Sequence, residues 1–211
     1  MARRIKEDPI VHQNRIAETA GKLFSEKGID NTSMDDIAKN AGYSKATLYV
    51  YFKNKDEIVS FLALTSMRKL KDVLVKALDG EKHSKEAFLS MCFALVDYQK
   101  EYPDFFDRTL TYIRIDTNEP DNSLLNQTYQ IGEEITQAIA KYLESGIRKG
   151  ELHACDNYFE TIFHMWGMIS GLIKLAKEKE EYIELAGNIS KEKFLNDGFE
   201  KIYSIICQTG E

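Results

Sequence analysis

Apolar residues recur at steps of three and four along most of the chain, and this spacing predicts helices from end to end. The first periodic stretch, over residues 11–27, places Ile16, Ala20 and Leu23 on one face and stops at Gly28. Further helices are predicted over residues 56–78, 84–101, 124–149, 157–180 and 190–207, with a shorter one after Pro103. No stretch alternates for long enough to require a sheet. The pattern therefore predicts an all-α protein of about nine helices.

Two short helices joined by a tight turn are predicted over residues 32–55. Ser33 can cap the first of them, with Asp36 as its reciprocal partner. Gly42 suits the left-handed residue that commonly ends a helix, and Ser44 can cap the second helix. These signals predict a sharp change of direction between the two helices.

The spacing around the turn indicates how the two helices pack. Small Ala38 lies four residues before Gly42, and apolar Leu48 lies six residues after it. A small residue at the first position lets the second helix cross closely, and Leu48 can pack into the crevice. This is the helix-turn-helix arrangement, in which the second helix enters the major groove of DNA.

An ordinary pair of core helices is the alternative. Against it, the second helix carries polar and aromatic side chains on its outward face, which are unusual for a solvated surface: Lys45, Thr47, Tyr49 and Tyr51. We expect groove contacts from Lys45, Thr47 and Tyr49. Phosphate contacts are expected from residues around the two helix starts: Thr32, Ser33, Tyr43, Tyr51 and Lys55. Ser44, at the start of the second helix, belongs to the same DNA-binding set.

The same stretch resembles the N-terminal signature of TetR-type transcriptional regulators. The residues that carry the resemblance are Gly28, Thr32, Ser33, Ile37, Ala38, Ala41, Gly42, Ser44, Leu48, Tyr49, Phe52 and Lys55. The resemblance covers about residues 10–60. It implies a DNA-binding domain over residues 1–54, with three helices, and a helical ligand-binding and dimerisation domain over residues 55–211. The function it implies is a dimeric repressor that a small-molecule effector releases from its double-stranded DNA operator.

Apolar stripes in the last two long helices are candidates for a homodimer interface. Gly167 and Gly171 are four residues apart, so another backbone can approach closely there. Two such helices from each of two chains would form a four-helix bundle across a two-fold axis. The alternative is that the stripes fill the core of one chain, and the resemblance favours the dimer. The candidate interface residues are Phe159, Phe163, Gly167, Gly171, Phe199, Ile202 and Ile206.

The resemblance also implies a small-molecule pocket in the C-terminal part. The candidates for its apolar wall are Met91, Leu95, Tyr98, Phe106, Leu110, Tyr129, Met165 and Trp166, with Arg114 or Tyr112 as a polar contact. Each of these side chains would serve equally well in an ordinary core. The uninterrupted helix over residues 56–78 is the candidate for transmitting ligand binding to the DNA-reading helices, and a plain spacer is its alternative.

The distribution of charge changes the picture that the net charge alone gives. The 211 residues carry a net charge of −6, which argues against a nucleic-acid partner. Residues 1–55, however, hold ten basic and seven acidic side chains, a net +3, and the remainder carries −9. A basic head on an acidic body orients the molecule towards phosphates. The asymmetry supports the DNA-binding interpretation.

Other classes of function find little support. The four histidines fall in four different segments, and the sequence has no Glu-x-x-His pair, phosphate-binding glycine loop or nucleophile elbow. We therefore expect no catalytic set, cofactor or metal site. An α-helical enzyme and a helical adaptor that does not bind DNA are the alternative functions.

The chain shows no signal for secretion or membrane insertion. No apolar run approaches the ~20 residues of a membrane span, and the basic N-terminus is not followed by the apolar core of a signal peptide. The three cysteines lie far apart, at positions 92, 155 and 207, which is typical of a reducing compartment. These features predict a cytoplasmic protein without a membrane partner.

Overall fold

The computed structural model describes residues 7–78, 83–111 and 123–207, and it describes side chains throughout these ranges except at residues 108–111. This part of the chain contains ten helices: α1 (Pro9–Lys27), α2 (Met34–Ala41), α3 (Lys45–Tyr51), α4 (Lys55–Ala77), α5 (Ser84–Glu101), α6 (Pro103–Thr111), α7 (Leu124–Arg148), α8 (Tyr158–Glu178), α9 (Glu180–Gly187) and α10 (Lys191–Ile206). Its extended pairing is limited to one isolated bridge between Leu152 and Cys207. The predicted all-α class is confirmed.

One helix boundary and one additional helix differ from the sequence expectation. Helix α1 begins at Pro9, two residues early, because the Asp8 carboxylate accepts a hydrogen bond from the amide of Ile10 at 3.0 Å. Proline is well suited to the first helical position, where an amide would lack a partner. Helix α8 ends at Glu178, close to its predicted end, but the additional helix α9 fills the stretch before residue 190 for which no helix was predicted. It ends at Gly187, and the residue that caps it, Asn188, is left-handed with φ of 49°.

The chain forms two compact units, and the boundary between them falls within α4 and α7. Among the described residues, the N-terminal unit comprises 7–66 and 123–128, and the C-terminal unit comprises 67–78, 83–111 and 129–207. The core of the N-terminal unit consists of Ile16, Ala17, Ala20, Leu23, Ile37, Ala38, Leu48, Phe52, Ile58 and Phe61. These side chains come from α1, α2, α3, the residue after α3 and the start of α4, so the small head has one shared core.

Close helix packing organises the C-terminal unit. A Cβ atom at Gly198 would lie 2.4 Å from a methyl carbon of Leu172, so α10 rests directly against α8. Phe199, next in the chain, is fully buried and its ring meets that of Phe93 edge-on at 5.5 Å. The hydroxyl of Tyr142 donates to the carbonyl of Ser84 at 2.9 Å. These contacts join α5, α7, α8 and α10 around the core of this unit.

Candidate nucleic-acid interface

A capping box fixes the start of α2. The hydroxyl of Ser33 accepts a hydrogen bond from the amide of Asp36 at 3.1 Å, and the Asp36 carboxylate accepts from the Ser33 amide at 3.0 Å and hydroxyl at 2.6 Å. The hydrogen bonds from Ser33 hold the pKa of the Asp36 carboxyl below its ordinary value. The predicted reciprocal partnership is confirmed, and it satisfies two amides that the helix itself leaves unpaired.

The turn between α2 and α3 has the geometry that the sequence predicts. Gly42 has φ of 76° and ψ of 26°, a left-handed conformation that favours glycine. The amide of Tyr43 donates to the carbonyl of Ala38 at 2.9 Å, which closes the end of α2. Ser44 caps α3, because its hydroxyl accepts from the amide of Thr47 at 3.1 Å.

Leu48 anchors α3 to the head. It is fully buried, as is Ile37 of α2, and Ala38 is almost fully buried in the same core. Phe52, directly after α3, is also buried and meets the ring of Phe61 edge-on at 5.4 Å. With this side of α3 fixed inward, the opposite side faces solvent.

The outward face of α3 carries one cation, one phenol and two apolar side chains. Lys45, Ala46, Tyr49 and Val50 are all exposed, Tyr49 at 46% and Val50 at 79%. The ammonium of Lys45 lies 2.8 Å from the Asp35 carboxylate, and the hydrogen bond to Asp35 raises the pKa of Lys45. Both partners of this ion pair are mostly exposed, so the pair contributes little to stability and can exchange partners.

An aromatic cluster that the sequence analysis did not predict joins α1 to the turn and to α3. Nδ1 of His12 and the hydroxyl of Tyr43 lie 2.7 Å apart in hydrogen-bond contact, and Arg15 donates to the same hydroxyl at 3.3 Å. The His12 ring also lies against Tyr51, with centroids 5.3 Å apart. The cluster fixes Tyr43 and Tyr51 on the α1 side of α3. No sequence signal connects His12 to a residue 31 positions later.

The structure corrects the role expected of Thr32. Its side chain is buried, its hydroxyl donates to the carbonyl of Gly28 at 2.9 Å, and its amide donates to the carbonyl of Ile29 at 3.2 Å. Both donors are used inside the protein, so Thr32 holds the loop between α1 and α2 and does not present a group to phosphate.

Lys55 is half-buried and its ammonium donates to the carbonyl of Ile29 at 2.7 Å.

Comparison with known proteins agrees with this geometry. Residues 16–60 match the family of bacterial regulatory proteins called the tetR family. The chain is 27% identical over 158 residues to the Staphylococcus aureus (strain Newman) biofilm operon icaADBC HTH-type negative transcriptional regulator IcaR, covering 73% of this chain and 81% of that protein. It is 26% identical over 141 residues to the Bacillus subtilis HTH-type transcriptional regulator YhgD, covering 67% and 72%.

Solved structures show the same architecture. The TetR-family transcriptional regulator PfmR from Thermus thermophilus superposes with a TM-score of 0.66 at 26% identity, covering 90% of this chain and 97% of that one. Residues 16–60 of the chain therefore belong to the tetR family of bacterial regulatory proteins, and the chain as a whole has the fold of a TetR-family regulator. The matched residues contain α2, α3 and nearly all of the head core. The matched segment therefore includes the two capped helices and the turn whose geometry is described above.

The predicted effector-pocket residues of the regulator lie in the C-terminal unit. Five of them are buried there: Met91, Leu95, Tyr98, Phe106 and Met165. Tyr129 and Trp166 are half-buried. The side chain of Leu110, and Tyr112 and Arg114 entirely, lie outside the described residues. Their assignment to a pocket stays a prediction.

A separate open cleft of about 800 Å³ lies among α4, α5 and α7 in this unit. Its walls carry four lysines, Lys71, Lys76, Lys141 and Lys149. The Lys71 ammonium donates to Glu134 at 2.8 Å. None of the described members of the predicted pocket lines this cleft.

The predicted dimer residues divide into an exposed set and a buried set. Phe159 and Phe163 are exposed and lie with ring centroids 4.3 Å apart, and Gly167 and Gly171 continue the same face with open space around them. On α10 the expectation is corrected for two residues, Phe199 and Ile202, which are buried inside the chain. Ile206 is half-buried, and the exposed apolar residue at this end of α10 is Ile205.

Within the described residues, no group of three or more histidine, cysteine or acidic side chains is arranged to hold a metal ion. None of the helices in this part of the chain is long and apolar enough to span a membrane.

The capping box predicts how the head responds to acid. The Asp36 pKa is lower in the folded chain than its ordinary value of 3.8, so its stabilising contribution is complete above that value and is lost as pH falls through the lower, folded-state pKa. We expect Asp36→Asn to lower the thermal midpoint by a constant amount above about pH 5, with the difference shrinking at more acid pH. Thermal unfolding followed by circular dichroism across pH measures this. Asp30→Asn, at an exposed aspartate outside the box, is the control, and a difference that stays constant into the acid range would contradict the prediction.

Proposed function

We propose that this regulator is a homodimeric repressor that binds its operator through α3 and is released by a small-molecule effector. The observation that carries the DNA-binding part is the outward face of α3, held above a fully buried Leu48. A repressing role is supported by the relative IcaR, whose name describes a negative transcriptional regulator. The basic balance of residues 1–55 within an acidic chain favours approach of this end to phosphates.

The contacts with DNA follow from the position of each side chain. Lys45 and Tyr49 lie on the outward face of α3 and would reach base edges, with Thr47 at the flank. Lys45 would exchange its pairing with Asp35 for a partner in the groove. Phosphate contacts are assigned to residues around this helix: Ser33, Tyr43, Ser44, Tyr51 and Lys55.

Selection from a random pool of duplex DNA tests this function. Since each chain of a two-fold dimer offers one α3, we expect the full chain to enrich a pseudo-palindrome. Its half-sites should lie about 34–36 Å apart, or a multiple of that distance, from centre to centre. The readout is sequencing of the enriched pool. Failure to enrich any sequence at low salt would overturn the function.

Lys55 supplies a second arm of the same test. Lys55→Ala should weaken binding to all sequences and reduce the salt slope by about one unit for each half-site, because one phosphate contact is lost. Lys55→Arg keeps the charge and should keep the slope. Lys76→Ala, at an exposed lysine of the C-terminal unit, is the matched control and should change neither quantity. An unchanged slope in Lys55→Ala would remove this residue from the phosphate contacts.

The homodimer is supported by the exposed face of α8. Phe159 and Phe163 expose large aromatic surface, and the two glycines that follow at four-residue steps let another helix approach closely. Side chains that are buried in the chain cannot serve this contact, so Phe199 and Ile202 are left out of it. The interface proposed here is therefore centred on α8, with Ile205 and Ile206 of α10 as further candidates.

Phe163→Glu should weaken self-association by roughly 30-fold or more, because a charge is placed in the apolar centre of a two-fold contact. Sedimentation equilibrium over a range of protein concentrations gives the dissociation constant. Val75→Glu puts the same charge on an exposed apolar position of α4 and should leave association unchanged. A wild-type chain that is monomeric at all concentrations, or a variant that dimerises normally, would contradict this interface.

The effector pocket is supported by an unsatisfied hydroxyl in the C-terminal unit. Ser170 of α8 is fully buried, and its Oγ has no hydrogen-bond partner among the described residues. It follows Trp166 by one helical turn, so both side chains lie on the same side of α8. A buried hydroxyl without a partner is costly, and a polar group on a ligand would satisfy it. The proposed pocket therefore has a wall of the predicted apolar residues and one polar group, the hydroxyl of Ser170.

Trp166 is the only tryptophan of the chain, so its fluorescence reports on this site. Medium-chain alcohols and fatty acids are suitable probes, since each has one polar group on an apolar chain. For a probe that binds and releases the operator, Ser170→Ala should weaken binding roughly 2- to 13-fold, the worth of one hydrogen bond, without lowering the thermal midpoint. Ser204→Ala, at an exposed serine of α10, is the control. If every probe that shifts the Trp166 signal binds Ser170→Ala as tightly as wild type, the Ser170 contact is wrong.

A further inference from the structure

The part of α3 that points directly away from the head is apolar. Val50 is 79% exposed, the largest exposed fraction of any large apolar side chain among the described residues. Ala46, one turn earlier, is also exposed. Residues four apart share one side of a helix, so the two form a single apolar strip.

The position of this strip follows from the burial of Leu48. Each residue of an α-helix rotates by about 100°, so Ala46 and Val50, two residues on either side of Leu48, lie about 160–200° around the axis from it. Leu48 is fully buried in the head core. The strip therefore occupies the centre of the outward face, with Lys45 and Tyr49 on one flank.

Several polar groups at the start of α3 are already engaged within the protein. The Lys45 ammonium is paired with Asp35 at 2.8 Å. The Ser44 hydroxyl accepts from the Thr47 amide and lies 2.8 Å from the Thr47 hydroxyl. Val50, in contrast, has most of its side chain exposed to solvent, and Ala46 is exposed as well. Single exposed apolar residues are common on proteins, but this pair lies at the centre of the surface that approaches DNA.

We propose that Val50, with Ala46 beside it, contacts the methyl group of a thymine in the major groove and makes the regulator select an A·T pair at that position. Thymine is the base that presents a C5-methyl group in the major groove, and apolar side chains recognise it by contact. This inference rests on the proposed DNA-binding function of α3. It assigns base selection to a side chain that has no hydrogen-bonding group.

Replacing thymine by deoxyuridine tests the contact, because uracil lacks the methyl group but keeps the same hydrogen-bonding atoms. In the operator enriched from the random pool, each thymine of a half-site is replaced in turn, symmetrically in both half-sites. For wild type, replacement at one position should lower the affinity for the operator. The expected loss is about fourfold for each methyl contact removed, which corresponds to burial of one CH₂-sized group. Fluorescence anisotropy of labelled duplexes gives the dissociation constants.

The variant Val50→Ala shows whether Val50 makes that contact. This variant should bind the thymine operator more weakly than wild type does. When the thymine at the sensitive position is replaced, the affinity of the variant should fall much less than that of wild type. Alanine is a good helix former and the site is exposed, so the variant should fold. Val75→Ala, the same change at an exposed valine of α4, should behave as wild type.

The outcomes separate this inference from the function on which it rests. Sequence-specific binding that tolerates deoxyuridine at every position overturns the methyl contact and leaves the proposed function intact. An equal deoxyuridine penalty in wild type and Val50→Ala also overturns it, as does a uniform loss of affinity in Val50→Ala for all sequences. If no duplex sequence is preferred at all, the function and the inference fall together.

Discussion

Burial of Leu48 is the contact on which the orientation of α3 and its exposed face depends. Helix α3 has seven residues, too few to be stable alone, so packing against the head must hold it in place. Once Leu48 is inside, the rotation of the helix is fixed, and with it the direction of Lys45, Tyr49 and Val50. The capping box at Ser33 and the left-handed turn at Gly42 serve the same end, because they set where α3 begins relative to α2.

Charge is distributed so that an acidic protein can approach DNA. The carboxylates at the start of α2 stabilise that helix, and one of them, Asp35, is paired with Lys45 of α3. This pair holds the Lys45 ammonium of α3 against the carboxylate of Asp35 in α2. The pair is exposed and weak, so breaking it requires little free energy. The centre of the outward face of α3 carries the apolar side chains of Ala46 and Val50.

In the C-terminal unit, helix α8 has one buried apolar side and one exposed apolar side. The inner side of α8 packs Ile162, Met165 and Ile169 into the core, while Phe159 and Phe163 remain outside. Helix α10 behaves differently, because the close approach at Gly198 seats it on α8 and turns Phe199 inward. The apolar stripes of α8 and α10 look alike in sequence, but they differ in exposure. The difference arises because a neighbouring helix covers the stripe of α10, whereas Phe159 and Phe163 of α8 remain exposed.

The sequence by itself determined the all-helical class, the capping of α2 and α3 and the left-handed turn between them, because these depend on residues within four or five positions of one another. The tertiary structure alone decided which side chains are accessible. It buried Thr32, tied Lys55 to the carbonyl of Ile29, brought His12 to Tyr43 and Tyr51, added α9 between α8 and α10, and placed Phe199 and Ile202 inside the chain. Periodicity shows that a helix has an apolar face. The element that covers this face comes from elsewhere in the chain, so only tertiary packing determines whether the face is buried or exposed.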